Sequence, residues 1–169
     1  MSSVPDPSPR TVDFRERLLG SAGFDELFRE GMALVEATAT YLDGPGRQDC
    51  AALPRPAAVA YARESMKHTT RLMQIAAWLL VQRTVREGGM TAETARRERE
   101  RIDLRDAAPL PEDEAARLPQ GLVDLIRASL DLNRRVVRLD ASLYGEPAAE
   151  QANPVDRQIG RLRAAFERR

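Results

Sequence analysis

Cysteine, histidine and aromatic residues are scarce in this chain of 169 residues: Cys50 and His68 are the single representatives of their types, and aromatics make up 5%. One cysteine excludes an intramolecular disulfide framework and any zinc site built from thiolates, and it fits a reducing cytosol. One histidine means that a Ser-His-Asp or Cys-His arrangement would have to be built around His68, with Cys50 in a different predicted element. Charge of one sign is lacking too. Lys plus Arg and Asp plus Glu both number 26, so no overall field draws the chain to nucleic acid or an anionic membrane, and charged recognition must be local. The longest unbroken apolar run, Ile75 to Val81, is far short of the roughly 20 residues that span a bilayer. The opening MSSVPDPSPR lacks the charged-then-apolar layout of a signal peptide, so the expected address is cytoplasmic. There is no strand-period alternation, no internal repeat and no phosphate loop. GPG at 44–46 and the pair Gly88 and Gly89 lack the strand-loop-helix setting and the lysine that a nucleotide site needs.

What is present is helical periodicity, and it predicts an all-α chain: an antiparallel bundle of three main long helices with short accessory helices and flexible termini. Residues 1–12, rich in proline, read as a disordered leader, 13–145 as the bundle, and 146–169 as a flexible tether with a terminal amphipathic segment. The first long helix is expected from Ser21 to Asp43, with Phe24, Leu27, Phe28, Leu34, Val35, Thr38, Tyr41 and Leu42 on one face. GPG should stop it, and the stretch from Gly44 to Pro56 reads as a loop. Gly31 interrupts the apolar face, as it would where another helix crosses closely. The second helix is expected from about Arg55 to Glu87, ended by Gly88 and Gly89. At roughly 45 Å it is longer than a compact bundle of this size requires, and surplus length invites a second subunit.

That central helix is apolar on nearly every side. Val59, Ala62, Met66, Thr69, Met73, Ala76 and Leu80 form one stripe, while Leu72, Ile75, Trp78, Leu79, Val81 and Val85 fill the opposite face. Arg71, Gln74, Gln82 and Arg83 flank its most apolar turn and need partners if buried. Residues 93–104 read as a short, solvated, charged helix, and 106–121 as an acidic proline-bearing linker. The last long helix carries Leu122, Leu125, Ser129, Leu132, Val136, Leu139 and Leu143 in three-four alternation.

Candidate chemistry is thin. Glu64 and His68 are one helical turn apart and could bind metal or relay protons, but this spacing is common, and the simpler reading is a half-exposed, solvated histidine. Glu98, Glu100, Glu112, Asp113 and Glu114 lie on connectors where water would surround them. The arginines within 96–105 and 157–169 leave open a nucleic-acid-associated regulator binding phosphates.

Two blocks carry a resemblance: LFREGMALVEATATYLDGPGR, Leu27 to Arg47, and ESMKHTTRLMQIAAWLLVQRTVREGGMT, Glu64 to Thr91. In these, and in the last long helix, the chain resembles the bacterial RcdA family, regulators of CtrA degradation, over residues 14–145. The resemblance implies a small helical bundle paired as a homodimer, with no cofactor, metal or enzymatic activity of its own. It implies an adaptor that works with the ClpXP protease, is recruited by a response-regulator-like primer, and delivers substrates or further adaptors controlling the cell-cycle factor CtrA. The resemblance supplies no contact residues; on the central helix the expected dimer contacts are Met66, Met73, Ala76, Trp78 and Leu80, and in the terminal segment the expected partner contacts are Arg157, Ile159, Arg161, Leu162 and Phe166.

Overall fold

The computed structural model describes residues 17–145, and within them every regular element is a helix. In chain order these are α1 (Ala22–Asp43), α2 (Pro45–Ala51), α3 (Arg55–Arg86), α4 (Ala92–Glu100), α5 (Glu112–Ala115) and α6 (Gln120–Tyr144), with helical residues 17–19 just ahead of α1. The Ser21 hydroxyl caps α1 by accepting from the Phe24 N–H at 3.3 Å, and Thr91 caps α4 through the Thr94 N–H at 3.2 Å. Gly88 follows α3 with φ of 76°, the left-handed conformation that glycine reaches without steric cost.

The expected bundle of three long helices is present: α1, α3 and α6 pack against one another. Thr38 meets His68, and Gly31 lies against Leu79, so α3 runs antiparallel to α1. Arg135 pairs with Glu30, and Gly121 lies under Tyr41, so α6 is antiparallel to α1 as well. Consequently α3 and α6 run side by side in one direction. This requires the connection between them to travel back along the bundle, a long crossover of the kind seen in some four-helix folds.

GPG does not lead into a simple loop. Pro45 opens the seven-residue α2, because a proline at the first helical position gives up only an N–H that had no helical partner. The connector after α3 also departs from the solvated reading. Ala95 of α4 is fully buried, and Arg99 pairs with Asp140 of α6. Ile102 and Leu104 pack on one core cluster, and Ala107 and Leu110 on the other.

Those two clusters occupy opposite halves of the bundle. One gathers Phe24, Leu27, Ile75, Trp78, Leu79, Leu132, Val136 and Leu143; the other gathers Tyr61, Ala115, Leu118, Leu122, Val123, Ile126 and Leu130. Near where they meet, the three long helices contribute a polar layer of Thr38, His68 and Ser129, all buried. The close crossing inferred at Gly31 exists: a Cβ there would come within 2.5 Å of Leu79 Cδ1.

Candidate functional site

The three-four alternation along α3 has a simple structural outcome. Its steps of seven place Val59, Met66, Met73 and Leu80 in one line, with Ala62, Thr69 and Ala76 between them, on the side turned away from α1 and α6. These large side chains are exposed by 63%, 72%, 66% and 49% respectively. From Val59 to Leu80 the stripe is about 32 Å long at 1.5 Å per residue. Its repeat matches a two-helix seam, with large residues at every seventh position and small ones at the intervening sites. Among the described residues, this line of large apolar side chains is therefore left exposed.

Of the expected dimer contacts, Met66, Met73, Ala76 and Leu80 share this face, whereas Trp78 does not. The Trp78 side chain is fully buried in the core, where its indole Nε1 donates to Asp140 Oδ1 at 2.8 Å. It lies two residues from Ala76 and Leu80 on the helical wheel, a rotation of about 200°, and so faces the opposite way. Val59 takes its place on the stripe. The other expected contacts, Arg157, Ile159, Arg161, Leu162 and Phe166, lie outside the described residues, as do the leader and tether.

Glu64 and His68 do not act together. His68 is fully buried rather than half-exposed. Thr38 Oγ1 lies 2.9 Å from its Nε2, and Ser129 Oγ lies 3.0 Å from its Nδ1. Ser129 also accepts from Arg71 Nη1 at 2.7 Å and donates to the Ile126 carbonyl at 2.9 Å. With its one proton directed to that carbonyl, Ser129 accepts from His68 Nδ1–H, and the Thr38 hydroxyl donates to Nε2. This assignment satisfies a neutral imidazole on both sides. Burial, reinforced by the positive charge of Arg71, lowers the His68 pKa to about 4.

Burial alone would raise the Glu64 carboxyl, but hydrogen bonds from Lys67 and Arg63 outweigh it and hold it below its ordinary value. Lys67 Nζ lies 2.9 Å and Arg63 Nε 3.1 Å from Glu64 Oε1. Among the described residues no group of three or more His, Cys, Asp or Glu side chains could hold a metal, and no helix is long and apolar enough to cross a membrane.

The polar residues flanking the apolar turn of α3 find their partners within the chain. Gln82 and the Tyr144 hydroxyl exchange hydrogen bonds at 2.9 and 3.1 Å. Gln74 accepts from the Asp103 N–H, and Arg83 pairs with Glu87 while its guanidinium lies 4.7 Å from the Phe28 ring centroid. The arginines of 96–105 are largely neutralised where they stand. Arg97 pairs with Glu93, Arg99 with Asp140, Arg101 with Glu98 and Arg105 with Asp103. Asp140 is absent from the residues singled out by periodicity, although a signal for it exists: it falls between Val136 and Leu143 on the apolar face of the last helix, where a carboxylate needs donors.

The family described as protein of unknown function (DUF1465) matches the chain over residues 15–166. No curated protein matches it. Among solved structures, that of RcdA from Caulobacter crescentus CB15 is 48% identical, with a TM-score of 0.64, covering 78% of this chain and 98% of that one. The chain belongs to the RcdA family. RcdA membership accounts for the two blocks that carry the resemblance: the first lies in α1 and α2, and the second spans most of α3.

Proposed function

We propose that this RcdA-family protein is a non-enzymatic adaptor in regulated proteolysis, linking the primed ClpXP protease to cell-cycle substrates or further adaptors in the CtrA pathway. The observation that carries this reading is the 48% identity to RcdA over nearly all of that chain. The α3 stripe supports it physically. An adaptor acts through surfaces, and a line of exposed methionine and aliphatic side chains is the kind of surface that binds protein, with methionine adapting to more than one partner.

The homodimer belongs to the same proposal. Two copies of α3 packed along Met66, Met73, Ala76 and Leu80 would cover the stripe, and the small residues Ala62, Thr69 and Ala76 would let the helices approach closely. The C-terminal segment, whose sequence spaces Val155, Ile159, Leu162 and Phe166 at three- and four-residue intervals and includes Arg157 and Arg161, serves in this reading as a tethered contact for a partner. Tethering raises its effective concentration near the bundle.

The reading is tested by measuring protease-substrate half-lives in cells with and without the protein, after a pull-down has named its partners. Slower turnover of particular substrates on deletion is the expected result. Unchanged half-lives for all substrates of the protease would remove the adaptor reading.

A further inference from the structure

After α4 the chain runs without regular structure from Asp103 to Pro111, a strap that touches both α3 and α6. Two contacts hold its first part: Gln74 Oε1 accepts from the Asp103 N–H at 3.0 Å, and Asn133 Nδ2 donates to the Arg105 carbonyl at 2.7 Å. Between the strap and the two helices lies a groove of about 810 Å³, whose walls include Met66, Thr70, Arg71, Leu110, Ile126 and Leu130. A volume of this order accommodates a few side chains of a bound segment.

The charges around the groove are paired with one exception among its cations. Lys67 is held by Glu64, and Arg105 by Asp103, while Arg63 nearby binds Glu114. Arg71 is different. It is half-buried, and among the described residues its only hydrogen bond is to the Ser129 hydroxyl through Nη1. Among the described residues no carboxylate lies within 4.0 Å of its guanidinium. Its remaining N–H groups are not sealed away from the groove. A guanidinium has a planar fork of donors suited to a carboxylate, and partial desolvation strengthens such a pair. The strap adds a second unfilled capacity. The backbone groups of Asp106 to Leu110 make no hydrogen bond within the described residues. The open carbonyls of the strap, and its open N–H groups other than at Pro109, which has none, can pair with the backbone of a bound segment.

We propose that this groove docks an extended protein segment carrying an aspartate or glutamate flanked by apolar residues. The carboxylate pairs with Arg71, the apolar neighbours lie over Leu110, Ile126 and Leu130, and the backbone runs along the strap. The choice of a protein segment as occupant rests on the adaptor reading, while the requirement for a carboxylate rests on Arg71 itself.

The test is to pan the full-length protein against a displayed library of random dodecapeptides, then to measure binding of the enriched sequence as a synthetic peptide. Enrichment of an acidic residue between apolar ones is expected. Replacing that acid by its amide should weaken binding at least tenfold, as should Arg71→Gln. Because Arg71 also supports Ser129, Thr70→Glu serves as a second variant. It sits on an exposed groove position and sets a negative charge against the incoming carboxylate, so it should weaken binding similarly with an unchanged melting temperature. Failure to enrich acidic peptides, or equal binding by both variants, overturns the proposal. Acidic-peptide binding without any effect on proteolysis would instead remove the adaptor reading and leave the groove standing.

Discussion

His68 joins three helices through two hydroxyls, and its neutral state ties folding to pH. Its pKa falls from the ordinary 6.5 to about 4 on folding, so between these values the unfolded chain binds the proton more readily. Stability is therefore complete above about pH 6.5 and declines as pH falls toward 4, by ~3 kcal/mol at most. Glu64, held below its ordinary 4.5, loses its contribution only at lower pH, so the upper part of the window reports on His68. His68→Gln should lower stability at pH 7 and flatten the decline between pH 6.5 and 4.5 in urea titrations; an unaltered slope would show that the ring is not neutral and buried. Asp140 is the corresponding group in the other half of the bundle, accepting from Trp78 and Arg99. Asp140→Ala leaves the buried indole N–H without an acceptor and should cost about 2 kcal/mol, with a change in tryptophan fluorescence as the readout. Periodicity does not reveal either role. A single histidine on a helix gives no sign that Thr38 and Ser129 will meet it, because those partners are separated from it by 30 and 61 positions in the chain.

The long helices are far more legible than their contacts. The expected limits of the first two long helices differ by a residue from α1 and α3, because glycine, proline and a serine cap mark them locally. The close crossing at Gly31 is also readable, since a glycine in an apolar stripe has few other uses. Gly31→Val would drive a branched side chain into Leu79 and should destabilise the bundle by about 2 kcal/mol through overpacking, measured by chemical denaturation; a variant as stable as the parent would mean that α1 and α3 are not in close contact there. The connector from Thr91 to Pro119 is where sequence reading falls short. Its high charge and prolines suggest solvation, yet Ala95, Ala115 and Leu118 are buried and its carboxylates and arginines clip it to α3 and α6. Short apolar anchors spaced irregularly carry no period, so only the folded chain shows them. For α3 the difficulty is of another kind. An all-round apolar helix has two candidate core faces, and only the packing reveals that Trp78 belongs inside and Met73 outside.

At the scale of the described bundle, α3 combines a partnered polar interior with an exposed apolar line. Each polar group flanking the centre of α3 has a partner inside the chain, while the Val59, Met66, Met73 and Leu80 line has none among the described residues. Contact along that line is the simplest reason for both the length of α3 and its surplus of apolar side chains. Placing charge there, as in the double variant Met73→Glu with Leu80→Glu, should convert the proposed dimer to a monomer in sedimentation measurements at micromolar concentration while helical circular dichroism is retained. A parent protein that is already monomeric at that concentration would contradict the dimer. Membership of the RcdA family and the all-helical bundle are both legible in the sequence, one through runs of residue identities and the other through periodicity. The choice of partner depends on surface chemistry that no period encodes. Whether this surface serves proteolysis is decided by reconstituting degradation of a pulled-down substrate by ClpXP and its primer with increasing amounts of the full-length protein. A saturable rise in degradation rate is expected, and the double variant should fail to produce it. A rate that does not change with added protein would contradict that role.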